Sequence, residues 1–297
     1  MRAITYQRLS RLLLELFGLA IPLDALASGS EGALDAAFRR GKPHSDADVA
    51  AILARLRRAR VVCSHETSVR IDGRTCWNWV FPAETLGFSE NGEVVIHVIR
   101  RSRGAGVVAE VLDGHRPALW VSDLCSAQQG YAEEWRICLA HRLRDCAYAI
   151  EAGDAVFAPR MKALLLRAVV FARRSRGLAP STRREYRRRL ECALGAVMAL
   201  APTHRDGQRL RKSYGKRRPH LFTFLDHPEL PADNNGSERE LRPTATYRKV
   251  TGGFRFDWAA DLSVGVRSVI GTAARRGVGA YQAIQQTLRG QAATYPG

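Results

Sequence analysis

Two acids stand in places where a carboxylate could do chemistry. Asp123 closes the apolar segment PALWVSD (117–123), and Glu238 follows the turn residues Asn234, Asn235 and Gly236. Arg239, Arg242, Arg248 and Lys249 crowd around Glu238 in sequence. A lone carboxylate among arginines is ordinarily a salt-bridge partner, and a metal ligand is the sharper reading. Mg²⁺ takes oxygen donors in near-octahedral geometry, so carboxylates from separate elements are its natural ligands. Two such ions, about 3.5–4 Å apart, can prepare the attacking oxygen of a phosphoryl transfer and stabilise the leaving one. Asp123 ends a buried-looking strand, where α/β folds commonly place their sites. Ser237 is able to cap the helix that Glu238 would open. Either acid alone would pass as structural.

A second constellation competes for Asp123. Gly104, Gly106 and Ala109 spell G-x-G-x-x-A between a strand and a helix, and Asp123 lies at the spacing expected of a ribose-binding acid. Against this, the helix before Pro117 is short for a crossover, and the unit follows a meander where a dinucleotide fold would begin with it. A plain turn and helix start explains the same residues. The dinucleotide reading predicts saturable NAD binding that is lost on Gly106→Arg.

The charge balance narrows the field of partners. Lys and Arg number 46 against 29 Asp and Glu, a net charge of +17, with an isoelectric point near 10.4. Such an excess attracts polyanions at long range, which makes nucleic acid the leading partner. Arg173, Arg174, Arg176, Arg183, Arg184, Arg187, Arg188 and Arg189 form the densest run. A solvated helix face and a phosphate-binding face read alike here. The six cysteines form no C-x-x-C pair, so buried free thiols in a reducing compartment are expected. LLLELFGLAIPLDALASGS near the start resembles a signal peptide, but Glu15 and Asp24 interrupt it and Leu12, Leu13, Leu16 and Phe17 suit one helix face. No stretch is long and uncharged enough to cross a membrane.

The elements that must position these residues follow from the pattern. Residues 1–58 read as helices, ending in DADVAAILARLRRAR. VVCSHETSV (61–69), RTCWNWVF (74–81) and EVVIHVIR (93–100) read as a three-strand meander with turns at Asp72-Gly73 and Asn91-Gly92. A short helix (about 105–113), the strand 117–123 and a further strand in EWRICLAH (134–141) come next. From about 155 to 228 the pattern is helical and basic, broken at Pro180, Pro202 and Pro219. KVTGGFRFDW carries a Gly-Gly turn, and two helices (about 258–276 and 279–289) close the chain. Trp77, Trp79, Trp120 and Trp135 could stack on bases, but their place in or beside strands favours core packing.

Three long segments resemble the transposases of insertion-sequence family sixty-six: SHETSVRIDGRTCWNWVF, VSDLCSAQQGYAEEWRICLAHRLRDCAYAIEAGD and NNGSERELRPTATYRKVTGGFR. The resemblance runs from about residue 4 to the end of the chain. It implies an α/β fold of the ribonuclease-H-like kind: a mixed sheet flanked by helices, with an all-α insertion. It implies a DDE-class enzyme that cleaves and joins DNA by in-line attack of water, then of a 3′-hydroxyl, on phosphate. Two Mg²⁺ (or Mn²⁺) ions would be held by Asp, Asp and Glu, and position by position the second Asp is Asp123 and the Glu is Glu238. Where the family has Asp in an Asp-Glu-Thr triplet, this chain has His65. Neutral imidazole is a poor Mg²⁺ ligand and suits Mn²⁺, Zn²⁺ or Ni²⁺ better, so weak or lost activity is expected. Glu66 is no substitute, because strand alternation sends it to the face opposite His65. Cys138 and His141, in CLAH, read as support for the core.

The expected organisation is a helical region (1–58), the first part of the core (59–152), a basic helical insertion (153–228), and the completion of the core with closing helices (229–297). Arg239, Arg242, Arg248 and Lys249, with Arg183, Arg184, Arg187 and Arg188, are the candidates for phosphate contact. The partners implied are DNA at transposon ends and targets, and further copies of the chain assembled on DNA. The place of action would be the cytoplasm, at the nucleoid. An upstream cysteine-rich DNA-binding segment, usual in the family, would precede residue 1. A transposase with weak or no activity, a DNA-binding protein without chemistry and, more distantly, a dinucleotide enzyme remain open.

Overall fold

The computed structural model describes residues 31–84, 93–175, 177–227 and 234–291, together with Arg11 and Leu14. Leu12, Leu13, Leu16 and Phe17, expected on one helix face, and the Asn91-Gly92 turn lie outside these residues. Nine helices and six strands are described: α1 (Glu31–Leu56), β1 (Val61–Cys63), β2 (His65–Ile71), β3 (Arg74–Glu84), β4 (Val94–Arg100), α2 (Ala105–Leu112), β5 (Leu119–Ser122), β6 (Glu134–Ile137), α3 (Leu139–Glu151), α4 (Phe157–Ser175), α5 (Pro180–Ala199), α6 (Arg205–Lys216), α7 (Asn235–Thr251), α8 (Asp257–Arg275) and α9 (Ala280–Leu288).

The meander forms as its turn chemistry requires. Asp72 (φ 48°) and Gly73 (φ 70°) both adopt positive φ, the two-residue geometry that matches strand twist in a tight hairpin. β1 and β2 meet β3 in one register, Val61 opposite Glu84 and His65 opposite Val80. They are therefore one strand, interrupted only at Ser64. Strand order across the sheet is β4, β3, β1 with β2, β5, β6. The first three rows are antiparallel, and β5 and β6 run parallel to β1. This mixed sheet with helices on it is the ribonuclease-H-like α/β arrangement expected from the sequence.

β4 has β3 as its partner on one side, and α8 covers the other. Ser268 Oγ accepts the His97 N–H at 2.9 Å and Thr272 Oγ1 accepts the Val95 N–H at 3.1 Å. Two edge donors that would otherwise invite another strand are thus satisfied by a helix. The main core joins Ile52 and Leu56 of α1 to Trp79, Phe81, Ile96 and Trp120 of the sheet and Val108 of α2. A second cluster gathers Leu139 and Cys146 of α3 with Phe157, Met161 and Leu165 of α4, Leu194 of α5 and Tyr214 of α6. Pro180 sits at the start of α5, where its missing N–H costs nothing.

Of the tryptophans, Trp79 and Trp120 are fully buried. Trp77 and Trp135 are only partly so, with Arg103 stacked over Trp77 at 4.5 Å and His220 against Trp135. The cysteines are free, but Cys192 is exposed and Cys63 and Cys125 are half-buried, so burial is not general among them.

Candidate functional site

Residue-by-residue pairing of β1 with β5 ends at Cys63 opposite Val121. The Ser64 N–H still reaches the Val121 carbonyl, at 2.8 Å. One step further the two strands part, and His65 and Asp123 stand level at their carboxyl ends. Crevices of this kind are where α/β sheets place ligands. Asp123 Oδ1 accepts the Cys125 N–H at 2.8 Å, which fixes the carboxylate in the turn that follows β5.

Two helices start at the same point. The Cys138 N–H donates to Ser122 O at 2.9 Å, pinning the start of α3 to the end of β5. Asn234 Nδ2 donates to Ser64 O at 3.0 Å and Asn234 Oδ1 accepts from Ser237 Oγ at 2.7 Å. The first turn of α7 is thereby tied to the strand interruption. Along its length α7 is held to β3 by Asn78 Nδ2 on Thr244 Oγ1 (2.7 Å) and to β2 by Arg248 Nη1 on Ser68 O (2.6 Å). On its other side Arg275 Nη1 donates to Glu240 Oε1 at 2.9 Å. Each anchor is a polar side chain on a named strand or helix, so Glu238 in the first turn has little freedom to leave the strand ends.

The side chains that meet there are His65, His141 and Glu238. One nitrogen or oxygen from each lies within 4.8 Å of those of the other two. His141 Nε2 is 3.7 Å from Glu238 Oε1, and the two imidazoles meet edge to face with centroids 5.2 Å apart. Nδ1 of His65, Nδ1 of His141 and Oε1 of Glu238 are buried without a hydrogen-bond partner. Burial, with the neighbouring His65 adding to it, pushes the His141 imidazole below its usual range, against the pull of Asp123 and Glu238. His141 is accordingly neutral near pH 7, with a ring nitrogen open as an acceptor.

A second group joins His65 and Asp123 to Glu66, again with one atom from each within 4.8 Å of the others. Glu66 is nevertheless committed elsewhere. One carboxylate oxygen accepts from Arg103 Nε and Nη2 at 2.9 and 2.7 Å, and the other accepts from Gln128 Nε2. Its side chain is buried, yet an oxygen of it lies within 4.8 Å of a donor atom of both His65 and Asp123, so strand alternation does not hold it away from them as the sequence led us to expect.

The donors assembled here do not match a pair of Mg²⁺ ions. His65, His141, Asp123 and Glu238 supply two imidazoles and two carboxylates, one of which already accepts a backbone amide, where hard cations want oxygen throughout.

His141 is the residue that sequence reasoning did not assign to the site. EWRICLAH read as one strand, but the strand ends at Ile137 and helix starts at Leu139, which turns His141 back onto Glu238. The turn between β6 and α3 carries no Gly or Pro to announce it. The other candidates are spread more widely. Arg239, Arg242 and Lys249 are exposed on α7, while Arg248 is half-buried against β2. On α5, Arg184 and Arg188 are exposed and Arg183 and Arg187 half-buried. Arg188 is engaged by Glu185 at 2.9 Å and Arg187 by Asp226.

The Gly104 turn lies elsewhere in the strand order. α2 follows β4, at the side of the sheet, and not the central β1 where a dinucleotide unit begins. Gly104 N–H is taken by Ser102 Oγ at 2.9 Å.

A family model, the transposase IS66 family, matches residues 2–262 of the chain. No curated protein matches it.

Proposed function

Because this chain belongs to the transposase IS66 family, we propose that it is a DNA-binding transposase whose two-Mg²⁺ strand cleavage is weakened by His65. The observation that carries the reading is that His65, at the parting of β1 and β5, belongs to two clusters at once, one with Asp123 and one with Glu238. Those are the three positions at which the family resemblance expects Asp, Asp and Glu. Two of the three carboxylates stand there, and the third position holds an imidazole.

The chain's own residues account for DNA binding more readily than for cleavage. Exposed Arg239, Arg242 and Lys249 project from the helix that carries Glu238, so a phosphate backbone lying on α7 would pass the site. Arg184 and Arg188 are exposed on α5 and offer further phosphate contacts there. Arg248 acts within the fold instead. Bonded to Ser68, it holds α7 to β2 and so keeps Glu238 in register with His65. Phosphate contacts of this type bind without reading sequence. Assembly of several copies on DNA and location at the nucleoid follow from the same reading.

The test has two arms. Fluorescence anisotropy with a duplex should show binding that falls steeply with salt, in wild type and in Glu238→Gln alike. Nicking of supercoiled DNA in Mg²⁺ should be feeble for wild type, rise at least about tenfold in His65→Asp, and vanish again in His65→Asp/Glu238→Gln. Vigorous Mg²⁺-dependent nicking by wild type would overturn the weakened-site reading, and salt-insensitive or absent binding would overturn the DNA-binding one.

A further inference from the structure

We propose that His65, His141 and Glu238 form a mononuclear site for a borderline divalent ion of the zinc class. It is a different centre from the pair of hard ions that the family resemblance implies. The inference concerns the site of the proposed function and rests on the same geometry. Ion binding can be read without DNA, so each reading can fail alone.

Three observations converge on it. The donors are of the right kind: two imidazoles and a carboxylate are a common protein set for Zn²⁺, which leaves a fourth position open. They also converge from three elements, β2, α3 and α7, with one atom of each within 4.8 Å of the other two. Tetrahedral Zn²⁺ sites hold ligand atoms about 3.4 Å apart, as follows from metal–ligand bonds of about 2.0–2.1 Å. Rotation of the two rings and of the Glu238 side chain can close that difference.

The third observation is the cost of leaving these groups as they are. Nδ1 of His65, Nδ1 of His141 and Oε1 of Glu238 are buried with no hydrogen-bond partner. Buried polar atoms are almost always partnered, and leaving one unmade is costly. These atoms fall on the three side chains of one cluster, and an ion there would take one donor atom from each. No covalent step is involved; the ion exchanges water for protein ligands.

Anchoring points the same way. The start of α3 is fixed to Ser122 by the Cys138 N–H and that of α7 to Ser64 by the Asn234 side chain, and these helices carry His141 and Glu238. The ligands are therefore placed before the ion arrives, and a bound ion would clasp α3 to α7 across the strand ends. Asp123 stands beside the cluster with one oxygen on the Cys125 amide, available to orient a water at the fourth position.

The experiment uses the full chain and Co²⁺ as the spectroscopic stand-in for Zn²⁺. Wild type should take up one Co²⁺ per chain with the strong visible d–d bands of four-coordinate geometry, and Zn²⁺ should abolish them. His141→Ala and Glu238→Gln should each weaken binding at least about tenfold, with circular dichroism confirming that they fold. His65→Asp should lose the four-coordinate bands and gain affinity for Mn²⁺ over Co²⁺. Should His141→Ala not fold, Glu238→Gln and His65→Asp still decide. No uptake by wild type, or uptake unchanged in Glu238→Gln and His141→Ala, would overturn the proposal and place any bound ion elsewhere, for instance on exposed Cys192.

Discussion

At the scale of single residues, buried polar groups divide into those that are completed and those that are not. Asp154 is a completed one. Its carboxylate is buried, with Oδ2 accepting the Ala158 N–H at 2.6 Å and Oδ1 accepting the N–H and hydroxyl of Thr203 at 2.8 and 3.1 Å. Burial alone would raise its pKa, but these donors prevail and hold the carboxyl below its ordinary value of 3.8. A carboxylate depressed on folding contributes stability above its unfolded pKa and loses it as pH falls through the folded one. Asp154→Asn should therefore cost about 1–3 kcal/mol near neutral pH, and the gap to wild type in urea denaturation should shrink below pH 3.8. Gly207 belongs to the same contact: a Cβ there would come within 2.5 Å of the Asp154 carboxylate. Gly207→Ala should destabilise by about 1–3 kcal/mol, read as a lower melting temperature. His65 and His141 are the uncompleted counterpart, and that contrast is what marks the strand ends as a site.

At the scale of elements, α7 matters most. Asn234 spans Ser64 O and Ser237 Oγ, so Asn234→Ala should cost about 1–2 kcal/mol and weaken Co²⁺ uptake without touching a ligand. Unchanged uptake would mean that α7 is placed by its later anchors alone. The Gly252-Gly253 turn that ends α7 has a steric reason: Gly253 lies at φ 133°, and a Cβ would meet Arg70 O at 2.4 Å. Much of this element pattern was legible in the sequence. The Asp72-Gly73 turn, the β-branched runs of the meander and the prolines of the helical stretch act locally, so period and punctuation revealed them. Glu238 and Asp123 were legible because the family segments carry them. His141 was not, because its role depends on a helix start two residues away and on a partner nearly a hundred residues on. The Ser268 and Thr272 bonds that close the β4 edge were equally hidden, since hydroxyls on a helix face look alike in sequence. The pairing of Arg187 with Asp226 could be seen only once α5 had a place, whereas that of Arg188 with Glu185 is a local helical spacing.

At the scale of the whole molecule, the charge of +17 sets how DNA would be met. Each phosphate contact adds about 0.9 to the slope of log affinity against log salt. Replacing exposed Arg184 and Arg242 together with Gln should lower that slope by up to about 2. Arg187→Gln should lower it less, because Asp226 already holds that guanidinium. Among the described residues no helix is long and apolar enough to cross a membrane. Helices α4 and α6 pack on α3, and α5 packs on α4, through a core of their own, so the element carrying His141 links the helical stretch to the strand ends. The most direct test of the zinc-class site is anomalous diffraction at the zinc edge from crystals of the chain grown with Zn²⁺. One peak is expected about 2.0–2.2 Å from a ring nitrogen of His65, a ring nitrogen of His141 and an oxygen of Glu238. Density there without an anomalous signal, or a peak bound only by other residues, would contradict it.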